Sequence, residues 1–220
     1  DMIENKDKNK LKIYLEKWIK NKIETELESL IKLKNLKENN STVRALAYNL
    51  YENNGVVKRE SVSKYLNKLN QEERKKLRRI GVKFGRYHIF LFKLFKPSSV
   101  SLRILLWKCF NEKNLNLFPP TFGLNFLEEK EKINKDFMLL CGFEKFDKFF
   151  VRIDILERLF ILIFNSNKES NNETKLTSEM LNLLGCNKDN FLKLLQSMGY
   201  NTFKKDNDVY FKYDSNKKRF

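Results

Sequence analysis

The sequence predicts a mainly α fold with short β-hairpins, in which a helical N-terminal part leads to a C-terminal part that closes on a hairpin. Three observations carry this. Apolar residues recur at spacings of three and four through the N-terminal part, the period of an amphipathic helix. After Gly81 the spacing shortens to that of strands. From Thr177 onward the chain runs helix, glycine, helix and two short strands.

Residues 1–10 are charged and predicted to fray. From Leu11 to Lys37, the apolar positions Leu11, Tyr14, Leu15, Trp18, Ile19, Ile23, Leu27, Leu30 and Ile31 mark a long amphipathic helix. Asn39-Asn40-Ser41 breaks it, and Ser41 is placed to cap a second helix through Tyr51. Asn53-Asn54-Gly55 stops that helix in a turn. Lys58 to Leu69 reads as a third helix and Gln71 to Arg79 as a fourth, ended by Ile80-Gly81. Val82, Phe84 and then His88 to Leu91 read as short strands about a Gly85-Arg86 turn. Pro97-Ser98-Ser99 opens a helix through Trp107, because proline is tolerated in a first turn.

Residues 112–134 contain Pro119-Pro120 and Gly123 with little periodicity, and are expected to form a loop-rich joint. Ile133 to Cys141 predicts a short helix, Phe149 to Ile153 a strand, and Asp154 the cap of an apolar helix, Ile155 to Phe164. The Asn-, Ser-, Glu- and Lys-rich stretch Asn165 to Thr174 predicts a loop. Thr177 caps a helix to Leu184, Gly185 turns the chain, and Lys188 to Met198 forms the next helix. Strands from Tyr200 to Lys204 and from Val209 to Tyr213 are joined by Asp206-Asn207-Asp208. That order makes the end of the chain winged-helix-like. The organisation expected is a basic helical region with a short β element over 1–111, the joint over 112–134, and a helical region over 135–220 ending in a helix-turn-helix and hairpin.

Hydrophobic residues make up 41%, with 19 Phe, enough for a core. The net charge of +16 and pI near 9.6 are the footprint of a nucleic-acid binder. An AT-rich coding bias toward Lys and Asn raises the total in any protein, so position carries more weight than sum. Residues 1–111 hold 26 Lys and Arg against 12 Asp and Glu, whereas residues 112–220 hold 18 against 16. Lys58 to Lys108 alone carries 15 basic side chains against Glu60, Glu72 and Glu73. Blocks of one sign repel unless a partner or solvent screens them. The nucleic-acid-binding candidates are Arg74, Lys75, Arg78, Arg79, Lys83, Arg86, Tyr87, Lys93, Lys96 and Arg103. Tyr87 is the expected exposed ring for stacking on an unpaired base, whereas Phe84 and Trp107 are expected in the core.

Several function classes lose support. Cys109, Cys141 and Cys186 are scattered, with no CxxC pair, which argues against a disulfide framework and against zinc, and reads as buried filler. No apolar run approaches the ~18–20 residues that cross a bilayer, so no membrane partner is expected. No GxxxxGK[ST] loop and no DExH/D box is present, so the chain is expected not to hydrolyse ATP. Asp154 and Glu157 fit a helix cap and first-turn acid better than a metal pair. His88, alone among apolar residues, fits the core. The expectation is therefore non-enzymatic, with no cofactor.

Four stretches resemble a known family. Leu77-Arg78-Arg79-Ile80-Gly81-Val82-Lys83-Phe84-Gly85 followed by His88-Ile89-Phe90-Leu91 is similar to "LRRxGVRFGxxHVFLP". Lys96-Pro97 and Leu102-Arg103-Ile104-Leu105-Leu106-Trp107 are similar to "LKPxxxxLRALLW". Cys141-Gly142-Phe143 and Val151 to Leu159 resemble "AGFR…VRIDMLERL". Met180 to Cys186 and Leu194 to Tyr200 resemble "MLxLLGC…LLxxLGY". These belong to the C-terminal region of alphaproteobacterial superfamily 2 helicases related to the mitochondrial Suv-three-type RNA helicases, and the likeness covers Leu11 to Tyr213. Phe92 departs from it, standing where the family has proline, and the linkers here are Lys- and Asn-rich. The resemblance implies an ATP-driven RNA-unwinding motor upstream, which would hold the ATP and Mg. A start at Asp1 on a polar run is consistent with a segment of such a longer polypeptide.

Two functions follow as expectations. The first is an accessory region that binds RNA, or another nucleic acid, for that motor. The second is a scaffold docking a ribonuclease, a ribosomal component or the helicase core through an apolar patch of Leu183, Leu184, Phe191, Leu195 and Met198. The expected compartment is the bacterial cytoplasm, or an organelle matrix if the source is eukaryotic.

Overall fold

The computed structural model describes residues 5–111, 116–167 and 173–214. The chain is mainly helical with small antiparallel sheets, as its apolar periods predict. It divides into two compact units, residues 1–115 and 116–220.

In the first unit the long N-terminal stripe forms two helices, α1 (Asn5–Glu26) and α2 (Glu28–Lys34), rather than one. The chain bends at Leu27. The bend buries Leu27, Leu30 and Leu33, while Leu11, Tyr14, Leu15 and Trp18 of α1 stay exposed. Helix α3 (Ser41–Glu52) is capped by Asn40 instead of Ser41, and its side chain accepts from the backbone N–H groups of Thr42 and Val43. Strand β1 (Val56–Lys58) follows, where the sequence predicts only a turn and the start of a helix. That helix shrinks to a single turn, α4 (Ser63–Leu66). Helix α5 (Gln71–Ile80) has a complete capping box between Asn70 and Glu73 and ends at Gly81. Strands β2 (Val82–Phe84) and β3 (His88–Leu91) form the expected hairpin. Strand β3 is central in a β1-β3-β2 sheet, pairing Val57 and Phe84 with Ile89. A 3-10 turn (Phe92–Phe95) then leads to α6 (Pro97–Phe110), with its proline in the first turn.

Leucines and valines of α2 to α5 pack with Val82, Ile89, Leu91 and Leu94 into one core. His88 is buried on β3, as its apolar neighbours predict. Trp107, expected in the core, is only half-buried.

Gly55 closes the turn between α3 and β1 at φ +83, and a Cβ there would lie 2.4 Å from Leu94 Cδ1. Its N–H donates to Leu50 O and its carbonyl accepts from Leu91 N–H, so the backbone cannot move away freely. Gly55→Ala combines a left-handed backbone with overpacking, and is expected to cost about 3 kcal/mol. Urea denaturation followed by circular dichroism measures it, and an unchanged midpoint would refute the packing described.

The second unit opens with β4 (Phe126–Glu128), a strand inside the stretch expected to be a joint. Helix α7 (Lys135–Leu140), β5 (Phe143–Phe146) and β6 (Phe149–Arg152) follow, and β6 is central in a β4-β6-β5 sheet. Helix α8 (Ile153–Asn167) starts before Asp154, which therefore lies within its first turn instead of capping it. The end of the chain is β7 (Thr174–Lys175), α9 (Ser178–Leu184), α10 (Lys188–Ser197), β8 (Tyr200–Lys205) and β9 (Asp208–Tyr213), with sheet order β7-β9-β8. Thr177 caps α9 and Gly185 turns the chain, as predicted. Asp206 and Asn207, both at positive φ, make the two-residue turn between β8 and β9. Strands β5 and β7 are additions to the sequence-based expectation. No described helix is long and apolar enough to cross a membrane.

Candidate nucleic-acid interface

The basic face of the first unit is built on α5. Leu77 is fully buried and sets the helix's orientation. At 3.6 residues per turn, positions two before and two after Leu77 point away from it. These are Lys75 and Arg79, and both are exposed. Lys83 projects from β2 and Lys96 from the start of α6, also exposed. Among the described residues none of these four cations sits in an ion pair. Arg78 is exposed on the flank of α5, with its guanidinium 5.4 Å from the centre of the Phe84 ring. Arg86 is exposed at the β2–β3 turn. The acids of α5 are engaged elsewhere or stand at its N-terminal end: Glu73 closes the capping box, and Glu72 lies in the first turn.

Other predicted site residues have different roles. Arg103 is 3% exposed and donates to the carbonyls of Asn54 and Leu94 at 3.0 and 2.7 Å. It ties α6 to the turn before β1 and to the 3-10 turn after β3, so it is not part of the surface. Arg74 is half-buried. It donates to Leu66 O at 2.7 Å and Leu69 O at 3.4 Å, and lies 5.8 Å from the Phe84 ring centre. Its role is to hold α4, α5 and β2 at a set angle. Lys93 pairs with Glu28 at 3.0 Å. Hydrogen bonds from Lys32 and Lys93 hold the Glu28 carboxyl well below the usual carboxylate range, at about 2. Tyr87 is half-buried rather than an exposed ring, and its carbonyl accepts from Arg59 N–H. Arg59 also donates through its guanidinium to Gly85 O at 2.9 Å, bracing the hairpin turn. Sequence reasoning did not single out Arg59, because nothing local distinguishes it from its basic neighbours.

The expected apolar docking patch is absent from the surface. Leu184, Phe191, Leu195 and Met198 are buried, and Phe191 meets Phe211 edge-on with ring centres 6.4 Å apart. Leu183 is half-buried, and its carbonyl accepts from Asn125 at 3.0 Å. These side chains turn inward because α9 packs against α8, and α10 covers β8 and the Phe211 ring of β9. Exposed apolar residues lie elsewhere, among them Trp18 of α1, Phe110 at the end of α6, Phe118 and Phe122 before β4, and Ile161 and Phe164 of α8.

Many cations of the second unit are neutralised locally. Lys145 pairs with Glu129, Lys148 with Glu128, Lys175 with Asp208, and Arg152 grips Asp154 through two bonds of 2.7 and 3.0 Å. That last pair accounts for Asp154 structurally, and Glu157 is buried. Among the described residues no group of three or more His, Cys, Asp and Glu is placed to hold a metal. Of the cysteines, expected as buried filler, Cys141 is buried, Cys186 is half-buried and Cys109 is exposed. Burial pushes the Cys186 thiol up to about 11.

Compared with known proteins, the chain matches no family model, no curated protein and no solved structure.

Proposed function

We propose that this chain is a non-catalytic accessory region that binds RNA for an ATP-dependent superfamily 2 helicase. One observation carries the binding half of the proposal. Lys75, Arg79, Lys83 and Lys96 are exposed on the first unit without acid partners, and Arg78 is exposed on α5 between the first two. Unneutralised charge clustered on one chain region costs stability through self-repulsion, and a polyanion relieves it. The helicase half rests on the sequence resemblance alone. The motor, with its ATP and Mg, and any ribonuclease partner would then belong to the rest of that assembly, in a bacterial cytoplasm or an organelle matrix. The order α8, β7, α9, α10, β8, β9 supports reading the C-terminal part as winged-helix-like. Its outward side chains are too mixed in charge to make it the principal RNA contact.

Salt titration tests the binding half. With a labelled single-stranded RNA of about 20 nucleotides, log K of the full chain should fall linearly with log salt. Four phosphate contacts on a single strand correspond to a slope of about −3. Binding that is absent at low salt, or that is flat in salt, would end this reading.

A further inference from the structure

One arrangement of elements occurs twice in the chain. In the first unit it is α3, β1, α4, α5, β2, β3, with sheet order β1-β3-β2. In the second it is α8, β7, α9, α10, β8, β9, with sheet order β7-β9-β8. In both copies the last helix runs into a glycine at positive φ, Gly81 at 111° and Gly199 at 88°, and so directly into the hairpin. Helix-turn-helix proteins place the second helix of the pair in a nucleic-acid groove. Helices α5 and α10 hold that place in their respective copies. Their inward faces are alike, Leu77 in one and Phe191, Leu194 and Leu195 in the other. Their outward faces differ. Helix α5 shows Lys75, Arg78 and Arg79, with Glu72 in its first turn and Lys76 paired to Glu38, whereas α10 shows Lys188, Asp189, Lys193 and Gln196.

We infer that the α4–α5 pair and the β2–β3 hairpin seat the first unit on a nucleic-acid duplex, with α5 against a groove and Lys83 on the flanking backbone, and that the second copy has no such role. This rests on the proposed function and names its substrate. The choice of duplex over single strand comes from what the surface lacks. Single strands are held tightly where a basic groove is joined by exposed aromatic rings on which bases stack. None of the exposed large apolar side chains of the described residues lies on α5, β2 or β3; the exposed rings of this unit, Tyr14, Trp18, Tyr48, Phe92 and Phe110, lie outside those elements. The Phe84 ring has the guanidinium groups of Arg74 and Arg78 over it, and Tyr87 is half-buried. What remains is cations on a helix. Arg74 holds that helix rigidly against α4 and β2, which suits a preformed helical backbone better than a flexible strand.

The test uses the full chain and fluorescence anisotropy at about 100 mM KCl. The probes are one 24-nucleotide sequence as single-stranded RNA, RNA duplex and DNA duplex. At least one duplex should bind about tenfold tighter than the single strand. K75E/R79E should weaken duplex binding about 50-fold or more, as expected for two lost phosphate contacts. K188E/K193E should leave it within about twofold. A preference for duplex RNA would fit contacts to the backbone across its shallow groove and supports the inference; a preference for duplex DNA, with α5 in the wide major groove of the B-form, keeps the duplex seat on the first copy and overturns RNA as the substrate. Single-stranded RNA bound as tightly as both duplexes overturns the duplex inference and leaves the proposed function standing. No binding to any probe overturns both. Equal losses in the two double variants would overturn the assignment to the first copy.

Discussion

K75E/R78E/R79E should abolish most nucleic-acid binding, with affinity falling at least about 100-fold near 0.1 M salt. Each neutralised phosphate releases condensed counterions, which at that ionic strength contributes close to a factor of ten. Three reversals remove three such contacts and add repulsion. The expected signature is a slope of log K against log salt that flattens by about two to three. Lys75 and Arg79 point away from Leu77 and touch no acid, so their reversal should leave the helical circular dichroism intact. Arg78 also lies over Phe84, so its reversal costs some packing, which a thermal melt will register. A folded triple variant that binds as tightly as wild type would remove α5 from the interface.

Arg103 predicts the opposite division between folding and binding. Its guanidinium serves two backbone carbonyls from a site 3% exposed. Arg103→Ala leaves the Leu94 and Asn54 carbonyls without that donor and opens a cavity behind them. Hydrogen bonds from a charged donor contribute roughly 1.5–3 kcal/mol each, so the loss should exceed about 3 kcal/mol. Arg103→Lys keeps the charge but lacks the planar fork, and should recover less than half of that. Urea denaturation of each variant gives the stabilities, and anisotropy below the transition gives the affinity of the folded fraction. That affinity should match wild type. A variant with normal stability and weakened binding would return Arg103 to the surface.

What could be read in advance follows the range of the forces involved. Helices α3, α5, α6, α8, α9 and α10 and the hairpins β2–β3 and β8–β9 were legible, because their apolar periods, caps and turn residues lie within a few positions of one another. Strands β1, β4 and β7 were not. They are two or three residues long, too short to show alternation, and exist because they pair with β3, β6 and β9 far along the chain. The bend at Leu27 was equally hidden, since both α1 and α2 keep the helical period across it.

The same division runs through the candidate site. Sequence alone determined that positive charge concentrates between Lys58 and Lys108, because the count of ionisable groups does not depend on the fold. Only the tertiary structure decided which of those groups meet solvent. Long flexible stems let Lys75, Arg79 and Lys83 reach outward, but let Arg74 and Arg103 turn back to backbone carbonyls that had lost their water. The apolar residues of α9 and α10 were decided likewise: their spacing marks one face of a helix, and the packing of α9 on α8 and of α10 on the β8–β9 hairpin makes those faces interior.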